Sequence, residues 1–359
     1  MIFNKNVSGP SITREMRGAG HARTNGALAI SLLITGLIIM SIVAMTTGRY
    51  PIKIHDLLSI VWKTLAAHGA ATGDASRLVL FKVRLPRMLA AIFVGAMLSG
   101  AGACYQGIFR NPMVEPRLLG VTHGAAFGAA LAILLSFNVA MIQVTSFVFG
   151  LIAVTATVGM AAIVGRRGDK TLTLLLCGII TFTLFEAFLS ITKYVADPYS
   201  KLPAITYWWM GSLSAVTMAD LRFAALFGIS GLIPLFLLRW RINTMTFGDD
   251  EAKTLGINTR VIRTVAIASS TIMTASAVSV SGVIGWIGLV IPHLARMIVG
   301  PSFTILLPVS VLLGALFLLF VDTLARVLFP IEVPLGILTA IIGAPFFIAL
   351  LARGKRGWS

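Results

Sequence analysis

The sequence predicts an all-α polytopic membrane protein of about ten transmembrane helices, since each span needs about 20 mostly apolar residues and such runs fill the chain. Three observations carry that reading. Of 359 residues, 57% are hydrophobic and only 12% are charged, and the mean hydropathy is +0.93; a soluble domain cannot bury that much apolar surface. The apolar runs follow one another from residue 27 to residue 352, which leaves little length for a soluble catalytic domain. Basic residues gather at the ends of those runs, as orientation in a membrane requires.

Hydrophobic runs place spans near 27–47, 88–108, 118–137, 143–165, 171–194, 221–240, 261–281, 283–299, 305–325 and 335–352. Ten crossings return both termini to one side. Most of the 29 Lys and Arg then fall on that side, so both termini are expected in the cytoplasm of a bacterial or archaeal cell, with the chain in its cytoplasmic (inner) membrane. The expected organisation is a cytoplasmic tail over 1–26, a transmembrane domain over 27–352 and a basic cytoplasmic C-terminus over 353–359. The tail carries Lys5, Arg14, Arg17 and Arg23 ahead of a long apolar run, with no small-residue cleavage site that stands out, and reads as retained. The net charge of +16 is explained by these flanking residues. The expected partner is therefore the lipid bilayer and not nucleic acid.

The second span is dense in small residues, from Gly95 and Ala96 through Ser99, Gly100, Ala101, Gly102 and Ala103 to Gly107. Small residues at helical spacing let backbones approach closely, so this helix belongs inside the bundle. Asn111-Pro112 and Glu115-Pro116 then predict a tight cytoplasmic corner. Residues 55–67 are apolar at helical spacing but too short to span, which predicts a helix on the surface of the bundle. The short stretch 203–216 holds Tyr207, Trp208 and Trp209; these are either interfacial aromatics or part of a half-helix lining the outer vestibule. Gly and Pro in 282–293 and at Gly343-Ala344-Pro345 predict two broken helices.

Few residues carry chemistry. Cys104 and Cys177 stand alone in apolar segments and read as small packing residues. His21, His55, His68, His123 and His293 show no metal-ligand spacing, so neither a metal site nor a resident cofactor is expected. No phosphate-cradling Gly-rich loop is present, and any ATP hydrolysis must belong to another chain. Glu186 lies deep in the fifth span. It is either a path-lining group or proton carrier, or a carboxyl bonded to a neighbouring helix; a proton-coupled secondary transporter using Glu186 is the rival from another class.

Two groups of charges fall on the unexpected side. Asp249-Asp250-Glu251 sits in a loop assigned to the basic interior, ahead of Ala252, Leu255 and Gly256. Acids favour the first helical turn and glycine ends a helix, so a short exposed helix is expected, either as a docking knuckle or as an ordinary solvated turn. Arg77, Lys82, Arg84 and Arg87 fall outside, with Arg84 and Arg87 flanking Leu85-Pro86 at the mouth of the second span. Arginines there either recognise carboxylates of an external protein or snorkel to headgroups. Arg326 is a third candidate contact, or an i, i+4 partner of Asp322.

Several motifs occur in a telling order. They are Arg84-Leu85-Pro86-Arg87, Gln106-Gly107, Asn111-Pro112, Glu115-Pro116, Leu119-Gly120-Val121 with Gly124-Ala125, Glu251-Ala252 with Leu255-Gly256, Gly285 with Gly288-Leu289-Val290, Pro292-His293-Leu294-Ala295-Arg296, and Gly343-Ala344-Pro345. From residue 84 to 352 the chain resembles the FecCD-type, BtuC-like permease subunits of ABC importers for iron–siderophore complexes, haem and vitamin B12. The resemblance implies the type II ABC importer permease fold. It implies two permeases, as a homodimer or with a closely related second permease, two cytoplasmic ATPases that bind ATP and Mg, and an external substrate-binding protein. Arg84, Arg87 and Arg326 match arginines that meet the binding protein. Gly248, Asp249, Asp250, Glu251, Ala252, Leu255 and Gly256 match the coupling helix that rests on an ATPase. The fifth span, with Phe182 and Glu186, matches the helix that lines the path; Tyr207 and Trp208 are further path candidates. The expected cargo is an iron–siderophore or haem chelate, with vitamin B12 and molybdate or tungstate as alternatives.

Overall fold

In the computed structural model, residues 12–48, 50, 52–66, 75–165, 170–328 and 331–353 are described, and side chains of 12–25, 61, 63–66, 170, 350, 351 and 353 are left aside. The chain runs through α1 (Ile12–Thr46), α2 (Ile54–Ala66) and α3 (Ala75–Leu78), then a π-helical turn Val79–Arg84 into α4 (Leu85–Phe109). A 3-10 turn Pro116–Leu119 leads to α5 (Val121–Leu134), α6 (Val139–Val164), α7 (Lys170–Val195), α8 (Lys201–Trp209), α9 (Met218–Met245) and α10 (Asp249–Thr254). The chain finishes with α11 (Thr259–Ser281), α12 (Ile287–Val299), α13 (Phe303–Val327) and α14 (Leu335–Arg353). No strand occurs among the described residues. The ten expected spans are all present as helices. Seven contain segments long and apolar enough to cross a bilayer unaided, while α5, α12 and α14 give shorter apolar segments.

Side chains satisfy the orphan amides where helices start. Asn138 Oδ1 accepts from Met141 N at 2.9 Å to begin α6, Asn258 Oδ1 accepts from Val261 N at 3.2 Å to begin α11, and Thr217 with Asp220 forms a reciprocal box at the start of α9. The small-residue helix α4 is the axis of the bundle, buried along most of its length. Gly95 meets the backbone of Gly314 on α13 and Gly102 meets that of Gly288 on α12, so a Cβ at either position would enter the facing main chain. Ser99 Oγ adds a bond to Ser310 O at 2.8 Å. This close approach compensates for the weak hydrophobic drive between helices in lipid.

The bundle has an arginine end, where α4 begins and α13 finishes, and an acidic end at α10. Gly26 packs on Ile305 near the start of α13, and the amide of Phe303 donates to Asn243 Oδ1 at 2.7 Å; α1 therefore enters from the acidic end. The predicted surface helix is α2, which seats Leu57 and Ile60 against Leu80 and leaves Trp62 exposed.

Two expectations change. The corner at 110–120 does not stay at the acidic end. Gly288 lies against Leu98, Glu115 and Pro116, and Leu98 is roughly 20 Å along α4 from its arginine end at 1.5 Å per residue. The corner and the start of α12 thus meet at mid-depth, with residues 282–286 outside any helix. The last span is not broken either, because α14 continues through Pro345. Much of the predicted terminal tails, with Lys5, Lys355 and Arg356, and the basic pair Arg166 and Arg167 lie outside the described residues.

Candidate functional site

At the arginine end, all three candidate guanidinium groups are turned inward. Arg87 Nε donates to Asp322 Oδ1 at 2.9 Å, and its Nη1 reaches both carboxylate oxygens of Glu332 at 3.0 and 2.9 Å. Arg326 Nε lies 3.3 Å from Asp322 Oδ2, within ion-pair range but poorly aligned as a hydrogen bond, and its terminal nitrogens donate to Ala44 O at 3.3 Å. Arg84 donates to the carbonyls of Met45 and Tyr50. Cations thus close the C-terminal end of α1, where unpaired carbonyls and the helix dipole favour them. The Asp322 side chain is wholly buried, that of Arg87 is 7% exposed and that of Glu332 is 32% exposed. The i, i+4 pairing of Arg326 with Asp322 is present. Sequence reading missed Glu332, which lies 245 positions from its partner.

At the acidic end, Gly248 precedes α10 with a φ of 146°, a conformation that side chains rarely adopt. Asp249 is held by Arg263 Nη2 at 2.8 and 3.0 Å, tying the short helix to α11. Ala252 is fully buried beneath it. Lys253 Nζ donates to Asp250 Oδ1 at 2.9 Å; that bond and the ammonium charge hold the Asp250 carboxyl below its usual range and raise Lys253. Gly256 ends the segment at a φ of 75°. Leu255 is 65% exposed, and Phe247, which the sequence reading missed, is 72% exposed. An acidic turn flanked by two outward apolar side chains has the shape of a peg. The signal for Phe247 was an aromatic residue stranded in a polar loop.

Tyr207 and Trp208 of α8 line a cavity of about 270 Å3 bounded also by α6, α9 and α11. Gln143, Ser212, Ser214 and Ser281 supply its polar edges, and among the described residues no Lys, Arg or His belongs to the lining. Its one acid, Asp220, already accepts from the amide and hydroxyl of Thr217 at 2.9 and 2.7 Å. On α7, Phe182 meets the imidazole of His123 edge-on at 4.1 Å. Glu186 is exposed on this single chain. Lys193 caps the face of Trp209 at 4.4 Å.

At mid-depth, Thr157 Oγ1 bonds Leu119 O at 3.0 Å and Thr181 Oγ1 at 2.8 Å, fastening the 3-10 turn to α6 and α7. Arg117 projects from that turn with its Nε 3.1 Å from Glu115 Oε1. An ionised side chain at such depth costs about 2.5–3.5 kcal/mol on insertion scales, so it must face protein or water and not lipid. Among the described residues no three His, Cys, Asp or Glu side chains cluster as a metal site, and Cys104 and Cys177 are buried free thiols.

Among the described residues, ten apolar helices packed around a small-residue axis, with ionisable groups at mid-depth and a cavity near one end, define a multi-pass membrane permease. The chain belongs to the FecCD transport family, whose profile matches residues 36–353. It is similar to the molybdate import system permease protein MolB of Haemophilus influenzae, at 38% identity across 89% of this chain and 94% of that one. It is equally similar, at 38% identity across 89% of this chain and 96% of the relative, to the "Probable iron chelatin transport system permease protein" of Helicobacter pylori. A solved inward-facing ABC transporter assigned to the metal-chelate type superposes with a TM-score of 0.79 at 36% identity, covering 90% of this chain and 98% of the other. The chain is therefore an ABC-type permease subunit and not an enzyme.

Proposed function

We propose that this permease forms the path of a binding-protein-dependent ABC importer and carries a metal chelate with an organic shell, such as an iron–siderophore or haem complex. The observation that carries the cargo reading is the cavity beside α8, which offers Tyr207, Trp208, Gln143 and serine hydroxyls but no cation. Aromatic faces and neutral hydrogen-bonding groups suit an organic ligand. A small oxyanion such as molybdate, the cargo in the name of one relative, would find no charge partner there. Vitamin B12 remains the organic alternative. Phe182 and Glu186 on α7 are the remaining path candidates. The test is uptake into proteoliposomes containing this chain with its ATPase and binding protein. Ferric chelate should accumulate in an ATP-dependent manner and molybdate should not; molybdate uptake alone would refute the cargo reading.

In this reading the protein lies in the inner membrane with both termini cytoplasmic, pairs with a second copy or a closely related permease, and is driven by two ATPases that bind ATP and Mg. The segment 248–256 is the coupling helix. Phe247 and Leu255 enter a cleft of the ATPase, while the Asp249–Arg263 pair passes its motion to α11. The arginine end receives the binding protein. Burial of Arg84, Arg87 and Arg326 makes them an internal brace, so docking requires an exchange: a carboxylate of the binding protein takes the place of Glu332, the most exposed member of the cluster, on Arg87. Arg87 and Arg326 face the two carboxylates and Arg84 adds a third guanidinium on carbonyls, which leaves positive charge for an acidic partner.

A further inference from the structure

Arg117 is not explained by folding alone. It lies on the 3-10 turn that re-enters the bundle, with its side chain 49% exposed although the turn itself is packed at mid-depth. Glu115 takes one edge of the guanidinium through Nε. The other edge approaches the loop before α12, where Nη1 lies 4.0 Å from the place a Cβ would occupy at Gly285. No side chain caps α12, so the partial positive charge and free amides of its first turn add to that of Arg117. Nearby, His123 is only 7% exposed, and its Nδ1 has no hydrogen-bond partner among the described residues. Its ring touches Phe182 of α7.

A half-exposed guanidinium at this depth faces water, a passing ligand or the paired permease, because lipid would not tolerate it. Glu115 balances its charge but leaves the Nη edge open, the edge with which arginine binds carboxylates and oxyanions bidentately. We infer that Arg117, beside the uncapped start of α12, is a binding station for an anionic oxygen group of the cargo. The group is a carboxylate or similar ligand oxygen on a metal chelate, or a free oxyanion. The inference rests on the reading of this chain as a transport path. It adds a charge class to the cargo: the aromatic cavity receives the shell, and Arg117 receives the negative edge. Glu115, His123 on α5, Glu186, Lys193 and Tyr194 on α7, and His293 and Arg296 on α12 are among the other ionisable groups on the elements around it.

Gly285 provides a probe, since its added Cβ meets nothing closer than Arg117 and both native cysteines are buried. Gly285→Cys in the full chain in nanodiscs would be labelled with a sulfonate-bearing and a trimethylammonium-bearing thiosulfonate of equal size. With Arg117 present the anionic reagent should react at least tenfold faster relative to the cationic one. Arg117→Gln should collapse that ratio, and Arg117→Lys should largely restore it. Equal ratios in all three, or an introduced thiol that does not react, would overturn the station. Protection then separates the sources. Slowing by ferric citrate supports both the station and a chelate cargo. Slowing by molybdate alone keeps the station and removes the chelate reading, and slowing by neither overturns the assignment to cargo.

Discussion

At the arginine end of the bundle, Arg84, Arg87 and Arg326 point into the protein and hold carbonyls and carboxylates; at the acidic end, Phe247 and Leu255 point out and leave most of their apolar surface uncovered. Both regions stand out in the sequence for the same reason, a charge of unexpected sign beside a span. Their energetics differ. A buried ion cluster contributes mainly through what its loss would expose, whereas an exposed apolar pair beside an acidic turn contributes little to the fold and is available to a partner. One end should therefore respond to mutation through stability and the other through association.

The largest expected effect comes from Asp322→Ala, which strands the guanidinium groups of Arg87 and Arg326. Removing one member of a buried pair costs about 3–5 kcal/mol. Thermal unfolding in detergent should show a drop of many degrees, and a wild-type midpoint would remove the brace from the account. Next comes the double substitution Phe247→Asp with Leu255→Asp. Surface changes of this kind stay within about 0.5 kcal/mol, so the unfolding midpoint should hold while co-purification of the ATPase is lost. Loss of stability instead would show that these side chains serve the fold.

Glu332→Gln is expected to act more mildly, since its carboxylate is a third exposed and such pairs are worth about 0–1 kcal/mol. If Glu332 is the exchangeable partner of Arg87, binding-protein affinity for the variant should rise severalfold, read by surface plasmon resonance on nanodiscs. An unchanged or weaker affinity would break that exchange. The smallest effect belongs to Asp250 and Lys253. Because the Asp250 carboxyl is held below its usual value, the pair supports α10 above the ordinary carboxylate range and loses that support as pH falls through the lowered value. Amide exchange in 249–254 should quicken there, and Asp250→Asn should abolish the pH step.

Much of this fold is legible in the sequence because lipid imposes a simple rule: the ten apolar runs became ten helices. The burial of α4 was readable from Gly95, Ser99 and Gly102, and the start of α10 from its three acids. The Arg326–Asp322 pairing was readable because helical spacing fixes it locally. What was not readable depends on distant partners. Glu332 meets Arg87 only through the tertiary fold. The return of Glu115 and Arg117 to mid-depth follows from Gly102 admitting Gly288, a contact that no local pattern reveals. Phe247 was passed over because a lone aromatic residue in a loop acquires meaning only once its exposure is known.

The central claim is that this permease has no motor of its own and takes force through α10 from an ATPase on the cytoplasmic side. Leu255→Cys in intact cells tests it most directly, using a membrane-impermeant maleimide outside and a cysteine-scanned ATPase inside. The expected result is no external labelling and a disulfide-linked permease–ATPase adduct whose yield changes with ATP. External labelling of the introduced cysteine, with no adduct at any scanned position, would contradict it.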